Sequence, residues 1–332
     1  MTASIVLTGI KPTGTPHLGN LVGAIKPALA LAESAAKSLY FVADYHALTA
    51  IHDAAKLRAC VREVAATWLA LGLDPERVIF YRQSDVPEIF ELSWILSCFT
   101  SKGLMNRAHA YKAAVDKNRE GGVEDLDAGV SMGLFGYPVL MAADILLFRT
   151  NVVPVGKDQV QHVEIARDIA QRFNTIYGPV LSLPEARISK DTAVVPGLDG
   201  RKMSKSYDNI VPLFLPPEKL KKLLFKFKTD STAPSEPKDP DASPLFHLYR
   251  EFSSAPETEA LRQRFLTGIG WGEAKEAVFT VLDRALTEPR RRYAELIADP
   301  AKIDALLTEG AVRARALAVP MLNEVRQAIG AR

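Results

Sequence analysis

Four short runs of apolar and β-branched residues constrain this chain most: Ile5-Val6-Leu7, Leu39-Tyr40-Phe41-Val42-Ala43, Val78-Ile79-Phe80-Tyr81 and Val152-Val153-Pro154-Val155. They read as buried strands, most of them bounded by Gly, Asp, Ser or Asn. Between and beside them, residues 18–32, 54–71, 88–99 and 159–173 carry apolar side chains at helical spacing. Strands alternating with helices predict an α/β fold with a doubly wound parallel sheet. Such a sheet takes its ligands outside the carboxyl ends of its strands.

Near residue 212 the strand-like runs cease, and helical segments at 218–227, 259–266, 274–286 and 303–329 take over. The expected division is an α/β unit over 1–211 and an all-helical C-terminal unit over 212–332, whose last helix packs back on the first. Pro320 is expected to break or kink that helix. Residues 229–240, polar and proline-rich, read as an exposed loop. At 332 residues the chain is long enough for both units.

Composition narrows the partners. The net charge of +2, from 41 Lys plus Arg against 39 Asp plus Glu, is too small for bulk capture of nucleic acid, so any such surface is local. Cys60 and Cys98 sit among apolar residues and read as reduced core thiols, and no Cys/His set has metal-ligand spacing. No basic stretch precedes an apolar one at the start, and runs such as 138–148 fall far short of the roughly 20 residues of a membrane span. The expectation is a cytoplasmic protein that does not enter a membrane.

After the first strand comes Gly9-Ile-Lys-Pro-Thr-Gly-Thr-Pro-His-Leu-Gly-Asn20, which then enters a helix. Gly and Pro shape a tight strand-to-helix crossing, and Gly19 leaves room for a ligand at the helix N-terminus. Any βαβ unit needs such a turn, and this one matches neither a dinucleotide fingerprint nor a Walker loop. His17 is what points to function, because an imidazole beside a helix start can aim an N–H at an anion.

A second segment, Pro196-Gly-Leu-Asp-Gly-Arg-Lys-Met-Ser-Lys-Ser-Tyr-Asp-Asn209, packs Arg201, Lys202 and Lys205 into five positions. A solvated surface loop is the bland account. The sharper one is a mobile loop closing over a triphosphate, with lysines neutralising charge on a departing pyrophosphate.

Together these segments resemble the paired signatures of class I aminoacyl-tRNA synthetases, His-Ile-Gly-His and Lys-Met-Ser-Lys-Ser. The second is matched letter for letter at Lys202-Met203-Ser204-Lys205-Ser206, and the first departs at Leu18 and Asn20. A third stretch, Tyr137-Pro-Val-Leu-Met-Ala-Ala-Asp-Ile-Leu-Leu-Phe148 with Val153-Pro-Val-Gly-Lys-Asp-Gln-Val-Gln-His-Val-Glu164, is similar to bacterial tryptophanyl-tRNA synthetases. Its Asp144 lies in an apolar run where an unpaired carboxylate is costly. It calls for a donor: an indole N–H, which would select tryptophan over phenylalanine, or a donor from the protein itself.

The resemblance implies a Rossmann-like catalytic unit that converts L-tryptophan and Mg2+-bound ATP to tryptophanyl-adenylate and pyrophosphate, then charges tRNA(Trp). It also implies a homodimer, no editing domain, and anticodon contact by the helical half. Catalysis would fall to His17, Asn20, Lys202 and Lys205. ATP would be held by Lys11, Pro12, Thr13, Gly19, Asn20 and Gly156, with Lys157, Asp158 and Lys112. The lysine loop would add Lys202, Met203, Ser204, Lys205 and Ser206, with Val195 touching adenine. Tryptophan would meet Asp144, Tyr137, Met141, Val153, Val155 and Gln159, with Leu7 and His46; no protein metal site is implied. Lys11 and Leu7 depart from the Gln and Phe expected in many bacterial relatives. Core packing for Met141, Val153 and Val155, helix-start polarity for Asp158 and Gln159, and a plain exposed lysine at Lys112 are the ordinary alternatives.

For phosphate contact in the helical half, Lys219, Lys221, Lys222, Lys226 and Lys228, with Arg290, Arg291 and Arg292, are the candidates, against solvated helix faces. Three rival functions remain: a tyrosyl-tRNA synthetase, a small-molecule nucleotidyltransferase, and a non-enzymatic paralogue binding tRNA or amino acid.

Overall fold

The computed structural model describes residues 4–156, 159–188 and 195–331. Five strands, β1 (Ile5–Ile10), β2 (Lys37–Val42), β3 (Ile79–Arg82), β4 (Val152–Val155) and β5 (Glu185–Ile188), form one parallel sheet in the order β3-β2-β1-β4-β5. β1 and β2 run in register from Ile5 opposite Lys37 to Ile10 opposite Val42. The chain builds outward from β1 to β3 and then returns to β4 on β1's other side. The crevice beyond the carboxyl ends of β1 and β4 is therefore the switch point where a doubly wound sheet binds ligands.

Side chains alternate across the sheet and divide the core in two. Val6, Tyr40, Val42 and Phe80 face one cluster, and Leu7, Leu39, Phe41, Ile79 and Tyr81 face the other. The first cluster runs without a break into the helical half through Leu220, Phe246, Phe265 and Leu282, so residues 212–331 share a core with the sheet.

After β1 the chain is helical through Leu18–Asn20, Leu21–Ile25 and Lys26–Ser34. The middle piece is a widened π turn in which the Lys26 N–H reaches back to the Leu21 carbonyl. Pro27, one residue on, has no N–H to return the chain to ordinary α bonding at that position.

Several elements were not expected, helix His109–Glu120 among them, and two bear on the site. β5 is a short edge strand with little apolar character. Met132–Leu146 is a helix with Pro138 inside it, buried at Val139, Ala142, Ala143, Asp144, Ile145 and Leu146. The helical half comprises Pro217–Leu224, Pro244–Arg250, Ala255–Thr267, Trp271–Ala298 and Pro300–Ala328. Pro320, expected to break or kink the last of these, lies within one continuous helix. Packing holds that helix on both sides of the proline: Ala314 and Ala318 are buried before it and Met321, Leu322 and Val325 after it. Ion pairs from Arg315 to Glu88 and from Arg326 to Glu91 flank it.

This same helix crosses the outer edge of the sheet, with Ile303 and Leu307 in one core and Ala311 to Val325 in the other. At the crossing Gly310 lies on the backbone of Phe80, and a Cβ there would overlap the Phe80 carbonyl. Cys60 is buried as expected, whereas Cys98 caps the end of helix Glu88–Ser97, beyond its last buried turn, and is exposed. Among the described residues no helix is long and apolar enough to cross a membrane.

Candidate active site

The turn after β1 is clamped by main-chain bonds: Leu18 N–H donates to the Val211 carbonyl at 3.0 Å, and Leu213 N–H to that of Pro16 at 3.1 Å. His17 caps the helix start and is 7% exposed. The Asn20 side-chain oxygen accepts from the His17 N–H at 3.1 Å, so Asn20 closes the turn on itself. The imidazole lies over Gly19, where a Cβ would come within 2.9 Å of its Nδ1 and Cε1. Gly19 is thus required by the ring. His17 Nδ1 is buried without a hydrogen-bond partner among the described residues. Burial, with the Lys205 ammonium nearby, pushes the ring's pKa down to about 4, so it is neutral near pH 7.

The lysine loop docks on this turn. Gly19 N–H points at Met203 Sδ at 3.3 Å, and Lys205 Nζ donates to the Thr13 carbonyl at 3.2 Å. Asn209, 2% exposed, ties the loop together. Its amide donates to Asp199 Oδ1 at 2.7 Å and to the Lys202 carbonyl at 3.1 Å, while its oxygen accepts from Ser204 N–H at 2.8 Å. Ser204 Oγ accepts from Ser206 N–H. Arg201 is spent on Asp199 and on the Tyr207 ring, 4.4 Å away. The Lys202 side chain is exposed and has no ion-pair or hydrogen-bond partner among the described residues. Val195 is buried, accepts from Met203 N–H at 2.9 Å and packs in the core beside it, rather than lining the ligand cavity.

That cavity, about 980 Å³, opens at the carboxyl ends of β1 and β4. Leu7, Lys11, His46, Tyr137, Met141, Asp144, Val153, Val155, Gly156 and Gln159 all line it. Gly23, Ala24, Pro27, Leu31, Trp68 and Arg187 are also in the wall, and no motif in the sequence singled them out. Lys11 Nζ donates to Thr49 Oγ1 at 2.7 Å, and burial lowers its pKa. Tyr137 OH pairs with His162 Nε2. Pro12 is buried beneath the turn. Lys112 is exposed on helix His109–Glu120, and it is Ala110, not Lys112, that reaches the wall. Lys157 and Asp158 lie outside the described residues.

Asp144 ends the cavity and is 1% exposed. His46 Nε2 lies 2.8 Å from its Oδ2, and Gln83 Nε2 donates to Oδ1 at 2.9 Å and to Oδ2 at 3.1 Å. The protein donors anticipated as an alternative are therefore present. Burial raises the pKa of Asp144, and the bonds from His46 and Gln83 oppose that rise. Gln83 was not singled out, because a lone Gln after a strand resembles any strand-end polar residue.

In the helical half, Arg290 pairs with Asp283, Arg291 with Glu288 and Glu295, Arg292 with Glu288, and Lys221 with Glu276. Lys219, Lys222, Lys226 and Lys228 carry no ion pair among the described residues and remain the freer cations there. No group of three or more His, Cys, Asp or Glu among the described residues is arranged to hold a metal ion.

Comparison with known proteins agrees with this geometry. The family of class I tRNA synthetases for W and Y matches residues 2–287. A tryptophan-tRNA ligase of Pseudomonas aeruginosa is 59% identical over 331 residues, covering 98% of this chain and 74% of the relative. One from Xanthomonas axonopodis is 57% identical over 98% of this chain and 76% of the relative. The crystal structure of the Campylobacter jejuni tryptophanyl-tRNA synthetase complexed with ADP and tryptophan superposes with a TM-score of 0.90 at 43% identity, covering 98% of this chain and 99% of that one. A switch-point cavity, two docked signature loops and these likenesses lead to one assignment: the chain belongs to the class I tRNA synthetases of the tryptophan and tyrosine group.

Proposed function

We propose that this chain activates L-tryptophan with Mg2+-bound ATP and transfers it to tRNA(Trp). The observation that carries the reading is one cavity with a buried carboxylate in its wall and, beside the first turn, lysines that make no ion pair among the described residues, Glu63 being the carboxylate that acts on Lys205 from a distance. Asp144 accepts the indole N–H. A side chain without that donor leaves the carboxylate's last acceptor site unpaired, which is how one pocket achieves high selectivity. Met141, Val153, Val155 and Leu7 enclose the ring, and Tyr137 and Gln159 stand where polar groups of the amino acid would lie.

A carboxylate oxygen of tryptophan attacks the α-phosphorus of ATP. The bond from that phosphorus to the bridging oxygen breaks, and pyrophosphate leaves with the electron pair. His17 offers an N–H to the phosphates. Lys205 exchanges the Thr13 carbonyl for the departing pyrophosphate, and Lys202 joins it, so positive charge meets negative charge as the latter develops. Magnesium, carried on the ATP phosphates, adds charge neutralisation. A hydroxyl of the terminal tRNA adenosine then attacks the aminoacyl carbonyl and AMP departs.

In this reading Gly19, Asn20 and Gly156 position the nucleotide. The helical half contacts the anticodon arm through the unpaired lysines, the protein works as a homodimer, and it acts in the cytoplasm. ATP–pyrophosphate exchange with each aromatic amino acid tests the proposal. Exchange dependent on tryptophan is the expected result; exchange driven by tyrosine, or none, would reject it.

A further inference from the structure

Gln83 belongs to no signature segment, yet it is fully buried and its amide nitrogen bridges both oxygens of Asp144. It sits one residue past β3, in the turn Gln83–Asp85. An ionised carboxylate offers about four lone-pair sites. Gln83 occupies two, at 2.9 and 3.1 Å, and His46 a third, at 2.8 Å. We propose that Gln83 is a positioning residue for side-chain selection: with His46 it fixes the Asp144 carboxylate so that a single acceptor site faces the cavity. The inference rests on the reading of Asp144 as the indole acceptor.

The surroundings support a role specific to the carboxylate. His46 and Tyr81 are the titratable groups facing Asp144 from the elements packed on it. Tyr137, on the same helix, is taken up by His162, and Glu88 and Glu91 of the neighbouring helix are paired to Arg315 and Arg326. Burial drives Asp144 toward its neutral form, and a neutral carboxyl would place its proton on one of the four sites. The two bonds from Gln83 favour the ionised form that an N–H donor needs.

The test compares tryptophan with 3-benzothienylalanine, which has the same shape and no ring N–H, in ATP–pyrophosphate exchange. In Gln83→Leu the preference for tryptophan over the analogue should fall about tenfold through KM, with KM for ATP unchanged. Gln83→Glu, of nearly equal volume, guards against a folding defect and adds a pH readout. Its protonated carboxyl donates to Asp144 as the amide does, and ionisation replaces that bond with like-charge repulsion. KM for tryptophan should therefore rise about tenfold from pH 6 to 9 in this variant and stay flat in the unsubstituted protein. Equal use of both amino acids by the unsubstituted protein would overturn the indole reading and this inference with it. A preference kept intact in Gln83→Leu, or a flat pH profile in Gln83→Glu, would overturn the inference alone.

Discussion

The inner end of the cavity and the turn beside its other end follow opposite electrostatic plans. Inside, Asp144 is 1% exposed and holds three hydrogen bonds from protein donors before any substrate arrives. Beside the turn, Lys205 and Lys11 donate to neutral oxygens, Lys205 with the Glu63 carboxylate acting on it from beyond ion-pair distance, and the Lys202 side chain has no partner among the described residues. In the proposed reading selection is served by the first plan, because a site already in its final geometry discriminates by what a wrong ligand leaves unpaired. In the same reading rate is served by the second, because cations without a close ion pair are satisfied fully only as phosphate charge develops.

Asp144→Asn breaks the contrast most directly, since an amide nitrogen would face the donors on His46 and Gln83. The kcat/KM for tryptophan in ATP–pyrophosphate exchange should drop about 10³-fold while KM for ATP holds. A drop below about tenfold would mean that the inner end is not the selector. Gly310→Ala strikes the same end from behind by forcing a methyl group into the Phe80 carbonyl. Urea unfolding should show a loss of about 3 kcal/mol, and the kinetic change in whatever folds should fall on tryptophan rather than on ATP.

Lys205→Ala sharpens the other side. Its kcat should fall about 10²-fold, with tryptophan binding by calorimetry unchanged. The smallest effect concerns His17. Its folded pKa of about 4 lies below the ordinary 6.5, so the unfolded chain takes up the proton first as pH falls. The stability this supplies is full above pH 6.5 and is lost as pH falls toward 4. His17→Asn should flatten that part of the urea-midpoint profile, and exchange by the unsubstituted protein should show no His17 limb above about pH 5.

What was legible in the sequence follows the same division. β1 to β4 could be read because buried parallel strands are nearly continuous apolar runs. β5, with the sequence Glu-Ala-Arg-Ile, gave no such signal, since an edge strand needs little burial. Helix Met132–Leu146 escaped because it is apolar on nearly all sides and contains Pro138, which removes the periodicity and suggests a break. At Pro320 local chemistry argued for a break or a kink; the helix does not break there, and it is packed on both sides of the proline.

At the site, His17 and the lysine loop were visible because each is a contiguous segment with its own signature. Gln83 meets Asp144 across 61 residues of chain, and Asn209 organises the lysine loop through its side-chain amide. Contacts of that kind exist only after folding.

The helix that crosses the sheet edge also bears on how the protein is made. Arg315, which anchors it, follows its partner Glu88 by 227 residues. At ribosomal speeds of about 5–20 residues per second, β3 waits roughly 10–50 s for its cover. Throughout that interval an apolar strand shows an open hydrogen-bonding edge, the feature most prone to pairing with other nascent chains. Weakening the Gly310 crossing should therefore lower the yield of soluble protein more than it lowers the activity of each molecule that folds.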